Sequence, residues 1–390
     1  NKYAGSSNYW KNSMGMNEAL AKLDVLAEKR LLESRLTNWI NNSEKNKAKY
    51  GHLLKTLEET YAGSTDMARY TTYFLEIFNN GIELIRFANT ILRFDTEGTE
   101  EDKQAFINER LIESYKNYEP ALDKKVLPVL MRLYAGRVPQ QYHPDIYQKI
   151  DSLFDGDYEA YADWLFTHSQ FTSLEKLLEL LKTADTQLLT KDPAMELALS
   201  TTDMGYELSE LMMPFYEKML KGERELMAAL MEMNPDKNFY PDANFTQRMS
   251  YGTVQGYRPR DAVWYDYYST SNGILEKQLP GDPEFNVQEY ILDAIRGGDF
   301  GRYADREGIM RINFLSNNDI TGGNSGSPVL NGKAELIGLA FDGNWESLSG
   351  DILFENDMQR MISVDIRFVL YVIDKVMGAT HVVKELNLVD

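Results

Sequence analysis

The apolar pattern of this chain changes its period once, and that change constrains the architecture more than any single residue does. From Met14 to Asn42, Glu44 to Tyr61, Asp66 to Phe94 and Thr99 to Tyr134, apolar residues recur three and four apart with Lys and Glu between them. That spacing is one face of an α-helix. Shorter runs of the same kind cover Pro144 to Phe154, Tyr158 to Phe166 and Ser173 to Leu181, and a longer one covers Tyr206 to Met233. Turns with capping residues are expected at Gly63-Ser64-Thr65, Asp95-Thr96-Glu97-Gly98 and Gly136-Arg137-Val138-Pro139. No heptad is sustained for more than a few turns, so the pattern predicts an all-helical domain rather than a coiled coil. A polar and aromatic cluster, Ser6-Ser7-Asn8-Tyr9-Trp10-Lys11-Asn12, stands just ahead of the first helical run.

Across Asn234-Pro235-Asp236-Lys237-Asn238-Phe239-Tyr240-Pro241-Asp242-Ala243-Asn244 the composition shifts, and Gly, aromatics and alternating runs become common. Met249 to Val254 and Ala262 to Thr270 read as strands, and Val287 to Arg296 as a short helix. Met310, Ile312 and Phe314 share one face of a further strand, Glu335 to Phe341 and Met361 to Val364 are two more, and Ile366 to Val376 is a terminal helix. The predicted division is a helical domain over residues 1–240 and a strand-containing domain over 241–390.

A chain of 390 residues has room for two or more substantial cores. Its formal net charge of -19 argues against nucleic acid and anionic membrane surfaces as partners, since both need a positive footprint. The absence of cysteine excludes disulfides, thiolate metal sites and a cysteine nucleophile. No apolar run reaches the length of a bilayer span. The chain opens at Asn1 without a signal peptide, which is read as a piece of a longer or processed polypeptide. No convincing internal repeat is present.

The stretch with chemical content is Thr321-Gly322-Gly323-Asn324-Ser325-Gly326-Ser327-Pro328-Val329, a small-residue turn between two alternating runs. Glycines on both sides of Ser325 open dihedrals closed to residues with a Cβ, so peptide N–H groups can converge beside the hydroxyl. In a trypsin-like enzyme the N–H groups of the serine and of the glycine two before it, here Ser325 and Gly323, stabilise the developing oxyanion. A Gly/Ser-rich hairpin loop is the alternative, but Gly-Asn-Ser-Gly-Ser-Pro between strands is specific enough to take Ser325 as a nucleophile.

A serine nucleophile needs a base and a group to orient it. The histidines are His52, His143, His168 and His381, three in the helical region and one beyond the terminal helix. In the trypsin-like order the histidine and aspartate precede the serine on an earlier barrel, so neither partner is expected in this chain. No His-Glu-x-x-His and no close histidine pair is present, so no metal site and no cofactor are expected. The strand after the serine, Leu339-Ala340-Phe341-Asp342-Gly343-Asn344, would pair with substrate backbone and wall the pocket for the P1 side chain. Gly343 leaves that wall open and uncharged, which suits an apolar P1 residue, whereas arginine there would select acidic ones. Asp342 is either a solvent-facing turn carboxylate or a counter-ion for a substrate amine.

Gly256-Tyr257-Arg258-Pro259-Arg260-Asp261-Ala262-Val263, Gly323 to Val329, Phe341-Asp342-Gly343-Asn344 and Ile362-Ser363-Val364-Asp365-Ile366-Arg367 together resemble the bacterial dipeptidyl-peptidases 7 and 11, trypsin-clan serine exopeptidases. Ser7 to Asn12 looks like a segment of their helical domain, so the resemblance spans essentially the whole chain. It implies a multidomain α and β protein, a helical cap domain followed by part of a chymotrypsin-like double β-barrel, namely the second barrel with its C-terminal helix. It also implies a Gram-negative periplasmic setting, a homodimer, and release of dipeptides from the free N-terminus of oligopeptides. Carried over, Ser325 is the nucleophile, Gly323 and Ser325 supply the oxyanion donors, and Asp342 with Asn8 holds the substrate ammonium. Gly343 resembles the dipeptidyl-peptidase 7 type, with hydrophobic P1 preference. Two rivals remain: an acidic-specific dipeptidyl-peptidase whose basic contact is Arg260 or Arg311, and a non-catalytic helical binding module with a vestigial barrel. Because the catalytic histidine and aspartate are not expected here, the chain alone is expected to be inactive.

Overall fold

The computed structural model describes residues 2–92, 99–182, 189–240, 246–282 and 284–389. The turn expected at Asp95 to Gly98 and the Pro241 to Asn244 end of the expected boundary segment lie outside the described residues. The chain divides into two compact units, one of Asn38–Asp236 and one that joins Asn1–Thr37 to Lys237–Asp390. It begins with helix α1, Lys2–Lys22, which absorbs the Ser6 to Asn12 cluster rather than following it, and continues into α2, Val25–Asn41. The two are separated where Asp24 takes a φ of 45°, so the single helix expected from Met14 to Asn42 is broken.

In the Asn38–Asp236 unit the main helices are α3 Leu53–Phe74, α4 Glu83–Ile91, α5 Pro120–Arg137 and α6 Pro193–Met233. Helix α3 runs straight through Gly63-Ser64-Thr65, where the sequence predicts a turn. Ser64 is buried, and a Cβ on Gly63 would stand 3.1 Å from Cε1 of Phe215 on α6. The small residues serve close helix packing, which outweighs the roughly 1 kcal/mol by which glycine weakens a helix. Helix α6 starts thirteen residues earlier than the expected Tyr206, because Asp192 caps the N–H of Ala194 and Pro193 occupies the first turn, where no N–H is needed.

The core of this unit is aromatic and aliphatic. Phe78 meets Tyr134 edge-on with centroids 4.8 Å apart, and Phe87 stacks on Tyr115 at 4.0 Å. Two buried carboxylates accept from the first amides of helical turns distant in the sequence. Asp123 of α5 accepts from the N–H groups of Glu83 and Leu84 at 3.0 and 2.9 Å, since Ile82 at the start of α4 has no capping side chain. Asp192 accepts from Ser169 Oγ, Gln170 N and Ala194 N.

The other unit carries strands β1 Tyr257–Arg260, β2 Val263–Tyr265, β3 Tyr268–Thr270, β4 Arg311–Ser316, β5 Pro328–Leu330, β6 Leu336–Gly343 and β7 Met361–Asp365. Strands β1 and β2 form a hairpin, and the rest form an antiparallel sheet in the order β3-β4-β7-β6-β5. Met249 to Val254, expected as a strand, contributes only a bridge from Val254 to Ser316. Helix α7, Glu289–Gly297, matches the expected position. Helix α8, Ile366–Tyr371, leaves β7 directly, its first turn capped by Asp365, which accepts from Arg367 N at 2.9 Å. Met310, Tyr303, Leu370 and Tyr371 form a buried cluster under the sheet.

Residues 1–37 were expected in the helical domain, and the structure corrects this. Helix α1 packs on the 3-10 turn Trp345–Ser349 that follows β6. A Cβ on Gly15 would collide with Leu348 and come within 2.8 Å of Trp345 Cζ2, so a side chain there would displace both. Trp345 Nε1 donates to Glu18 Oε2 at 3.2 Å, and Lys11 pairs with Glu284 at 2.9 Å. Helical periodicity identifies a helix but not the unit against which its face is buried. Among the described residues no helix is long and apolar enough to cross a membrane.

Candidate active site

Strand β5 is entered from a loop whose backbone is set by glycine. Gly323 has φ +102° and Gly326 φ +84°, both in territory that side chains rarely occupy. Asn324 holds the loop: its side-chain oxygen accepts from Thr321 N at 3.1 Å, its N–H donates to Thr321 O, and its carbonyl accepts from Ser327 N at 2.9 Å. The loop is anchored to β6 by Gly326 N on Ala340 O at 2.7 Å and Ala340 N on Ser327 O at 2.9 Å. Thr321 Oγ1 donates to Asp351 at 2.8 Å.

The N–H groups from Gly323 to Ser327 then sort into two sets. Those of Asn324, Gly326 and Ser327 are bonded inside the protein. Those of Gly323 and Ser325 have no protein acceptor among the described residues. Ser325 is exposed, and its Oγ donates to the carbonyl of Phe341 at 3.2 Å. An exposed hydroxyl flanked by two uncommitted amides is an arrangement that can receive an oxyanion.

The bond to Phe341 places the loop beside Asp342 and Gly343 at the end of β6. Asp342 is exposed, and its Oδ1 accepts from Gly343 N at 2.8 Å. Asn344, next in line, is buried: its Oδ1 accepts from Arg360 N at 2.9 Å and its Nδ2 donates to Met358 O at 2.8 Å. Asn8 lies on the exposed face of α1, and its side chain makes no hydrogen bond among the described residues. The structure thus brings Ser325, Gly323, Asp342 and Gly343 together through the β5 loop and β6, and leaves Asn8 without a bond to any of them.

Three of the four histidines are occupied elsewhere, and the fourth, His381, is exposed on the short helix Thr380–Lys384. His52 Nε2 meets Glu225 at 3.1 Å, His143 Nε2 meets Val138 O at 2.8 Å, and His168 Nδ1 meets Trp164 O at 2.7 Å. Arg311 is committed as well, with Nε on Asp305 at 2.8 Å, a guanidinium nitrogen on Tyr267 OH at 3.0 Å, and Cζ 4.0 Å from the centre of the Tyr268 ring. Arg260 ends β1 and is exposed. No group of three or more potential metal-ligating side chains occurs among the described residues.

Two residues that matter to the site carry no signal in the sequence. Arg360 is buried without a carboxylate partner and donates to the carbonyls of Asn356, Gln359, Gly256 and Asp357, so desolvation lowers its pKa. It ties β7 to the entry of β1. Ser347 in the turn after β6 donates to Asn344 O at 2.7 Å and stands directly over Gly343.

The chain matches the family Peptidase S46 over residues 1–388. It is 46% identical over 393 residues to dipeptidyl-peptidase 7 of Porphyromonas gingivalis, covering 100% of this chain and 54% of that protein. It is 35% identical over 397 residues to the Asp/Glu-specific dipeptidyl-peptidase of the same organism, covering 100% of this chain and 55% of the relative. Among solved structures, Porphyromonas endodontalis DPP11 in complex with the dipeptide Arg-Glu superposes with a TM-score of 0.85 at 31% identity, over 98% of this chain and 56% of that one. The chain spans about half the length of the curated relatives it matches.

Proposed function

The chain belongs to the peptidase S46 family, and we propose that it supplies the nucleophile, oxyanion and substrate-amine parts of a serine exopeptidase that releases dipeptides from the N-terminus of oligopeptides. The observation that carries this reading is the sorting of amides in the Ser325 loop, where Gly323 and Ser325 keep uncommitted N–H groups beside an exposed hydroxyl. In this reading Ser325 Oγ attacks the scissile carbonyl, its proton passes to a histidine base, and the carbonyl oxygen becomes an oxyanion between the two amides. Collapse breaks the C–N bond, the leaving amine takes the proton, and water then hydrolyses the acyl-enzyme. The base and its aspartate are assigned to the portion of the relatives' length that this chain does not span. The strands here form part of a chymotrypsin-like second barrel in the same reading.

Asp342 supplies the counter-charge for the substrate ammonium, together with Asn8. A fixed charge two residues from the scissile bond excludes longer N-terminal extensions, which makes the enzyme an exopeptidase. Gly343 supports a hydrophobic P1 residue. The engagement of Arg311 with Asp305 and Tyr267 weighs against its serving as an acidic-P1 contact. A periplasmic setting and a homodimer belong to the same proposal and are supported by the motif resemblance alone.

The test uses the full-length enzyme with dipeptidyl substrates bearing Leu, Phe, Asp or Glu at P1, and fluorophosphonate labelling. Release of dipeptides, preference for Leu and Phe, and loss of both labelling and turnover in Ser325→Ala are expected. Preference for Asp would overturn the P1 assignment. Absence of labelling with no dipeptide release would leave a binding module instead.

A further inference from the structure

Gly343 ends β6 at the wall that the proposed function assigns to the P1 side chain, and the inference that follows rests on that assignment. The backbone there is not what requires glycine, because Gly343 is absent from the positive-φ positions at which side chains are strained. The requirement comes from a neighbour. A Cβ built on Gly343 would fall on Ser347 Oγ, far inside any van der Waals separation, and would stand only 3.2 Å from Ser347 Cβ.

Ser347 is not free to withdraw. Its Oγ donates to Asn344 O at 2.7 Å and its N–H to the same oxygen at 3.0 Å, so a change of rotamer forfeits a bond. Its carbonyl accepts from Gly350 N at 2.8 Å. The turn is braced on both sides: Trp345 and Leu348 fill the space left by Gly15 on α1, and Ser349 is fully buried against Gln359. Even with the hydroxyl turned away, the remaining Cβ contact is tighter than side chains normally tolerate.

We propose that Ser347 is a specificity-determining residue, whose hydroxyl takes the place a side chain at position 343 would enter, so that the two positions together set the P1 wall. A side chain at 343 and a hydroxyl at 347 exclude one another. The wall therefore presents a glycine backbone with one hydroxyl beside it, which is uncharged and suited to apolar P1 residues. A change of preference toward acidic residues requires both positions to change.

The experiment is a double-mutant cycle in the full-length enzyme, read by kcat/KM on Leu, Phe, Asp and Glu dipeptidyl substrates and by Tm. Gly343→Ala alone lowers kcat/KM on the Leu and Phe substrates about tenfold or more and lowers Tm, as overpacking does. Adding Ser347→Gly restores both to within roughly threefold and a few degrees of the wild type. Gly343→Arg with Ser347→Gly raises the Asp-to-Leu ratio at least about tenfold, and Gly343→Arg alone does not. Full activity and stability of Gly343→Ala with Ser347 intact would overturn the proposal, as would failure of Ser347→Gly to rescue. Rescue of Tm with no change in the P1 ratios would reduce the contact to packing and overturn the specificity role, leaving the dipeptidyl-peptidase reading in place. A wild-type enzyme that releases no dipeptide from any substrate would sink that reading and this one with it, and none of the other outcomes has that signature.

Discussion

Ser325 Oγ donates to the carbonyl of Phe341 at 3.2 Å, and this bond joins the glycine loop to the residue just before Asp342. The candidate nucleophile and the candidate amine clamp are thereby held by adjacent backbone. Their relative position is set by the pairing of β5 with β6 rather than by loop flexibility.

Gly323 is the position where loop geometry and chemistry are inseparable. At φ +102° alanine is strained by about 1–3 kcal/mol, and relief of that strain turns the N–H away from the site. Gly323→Ala is expected to lower kcat about a hundredfold in the full-length enzyme with a smaller effect on KM. Steady-state kinetics on one dipeptidyl substrate checks this, and a change confined to KM would remove Gly323 from the oxyanion site.

Asp342 offers a cleaner separation of charge from packing. Asp342→Asn keeps an oxygen for Gly343 N and removes the negative charge. The expected result is a loss of kcat/KM on free-amine substrates of roughly thirtyfold or more, with Tm essentially unchanged because the residue is exposed. Parallel losses of Tm and activity would make it a structural carboxylate.

Helices were legible where their apolar face repeats, but their breaks were not, since Asp24 and Ile82 interrupt runs that read as single helices; the β5 loop was legible because a glycine-serine turn between strands is a local pattern. What failed was non-local. Gly63 reads as a turn because its role, admitting Phe215, is set by a residue on a distant helix. Helix α1 reads as part of the helical domain because the turn it packs on, Trp345–Ser349, lies at the other end of the chain. Gly343 was legible as the end of the strand after the serine, but the Ser347 hydroxyl that fills the space of its missing Cβ was not, since nothing in a single sequence says which side chain takes that space. Asp123 and Asp192 are buried caps for amides of distant segments, a role that no local pattern marks.

The Asp305–Arg311 pair makes a prediction at acid pH. Asp305 accepts from Ile309 N at 2.9 Å, from Glu307 N at 3.0 Å and from Arg311 Nε at 2.8 Å, and these bonds, led by the backbone one from Ile309, hold its pKa below the usual carboxylate value. A depressed folded-state pKa contributes stability that is present above the unfolded value, about 3.8, and is lost as pH falls through the folded one. Asp305→Asn should lower Tm at neutral pH and flatten the acid limb of the Tm–pH curve below about pH 4. An unchanged acid limb would show that other carboxylates govern it.

Tyr257 makes the opposite prediction at alkaline pH. Burial pushes its phenol up to about 12, and its OH donates to Glu346 Oε2 at 3.0 Å, a carboxylate that also disfavours the phenolate. Because the folded pKa lies above the unfolded value of 10, the folded state holds the proton more tightly. The resulting stability is complete below pH 10 and is lost as pH rises through about 12. Tyr257→Phe removes the titration and, with it, this share of the alkaline loss. At neutral pH the same change costs about 1 kcal/mol for the lost hydrogen bond. Glu346 keeps the bond from Asn344 Nδ2 at 3.1 Å, so the carboxylate is not stranded. Urea unfolding of the two proteins at pH 8 and across the alkaline limb checks both statements: the stability difference between them should shrink as pH rises. A difference that stays constant with pH would mean that the phenol does not titrate differently in the folded protein.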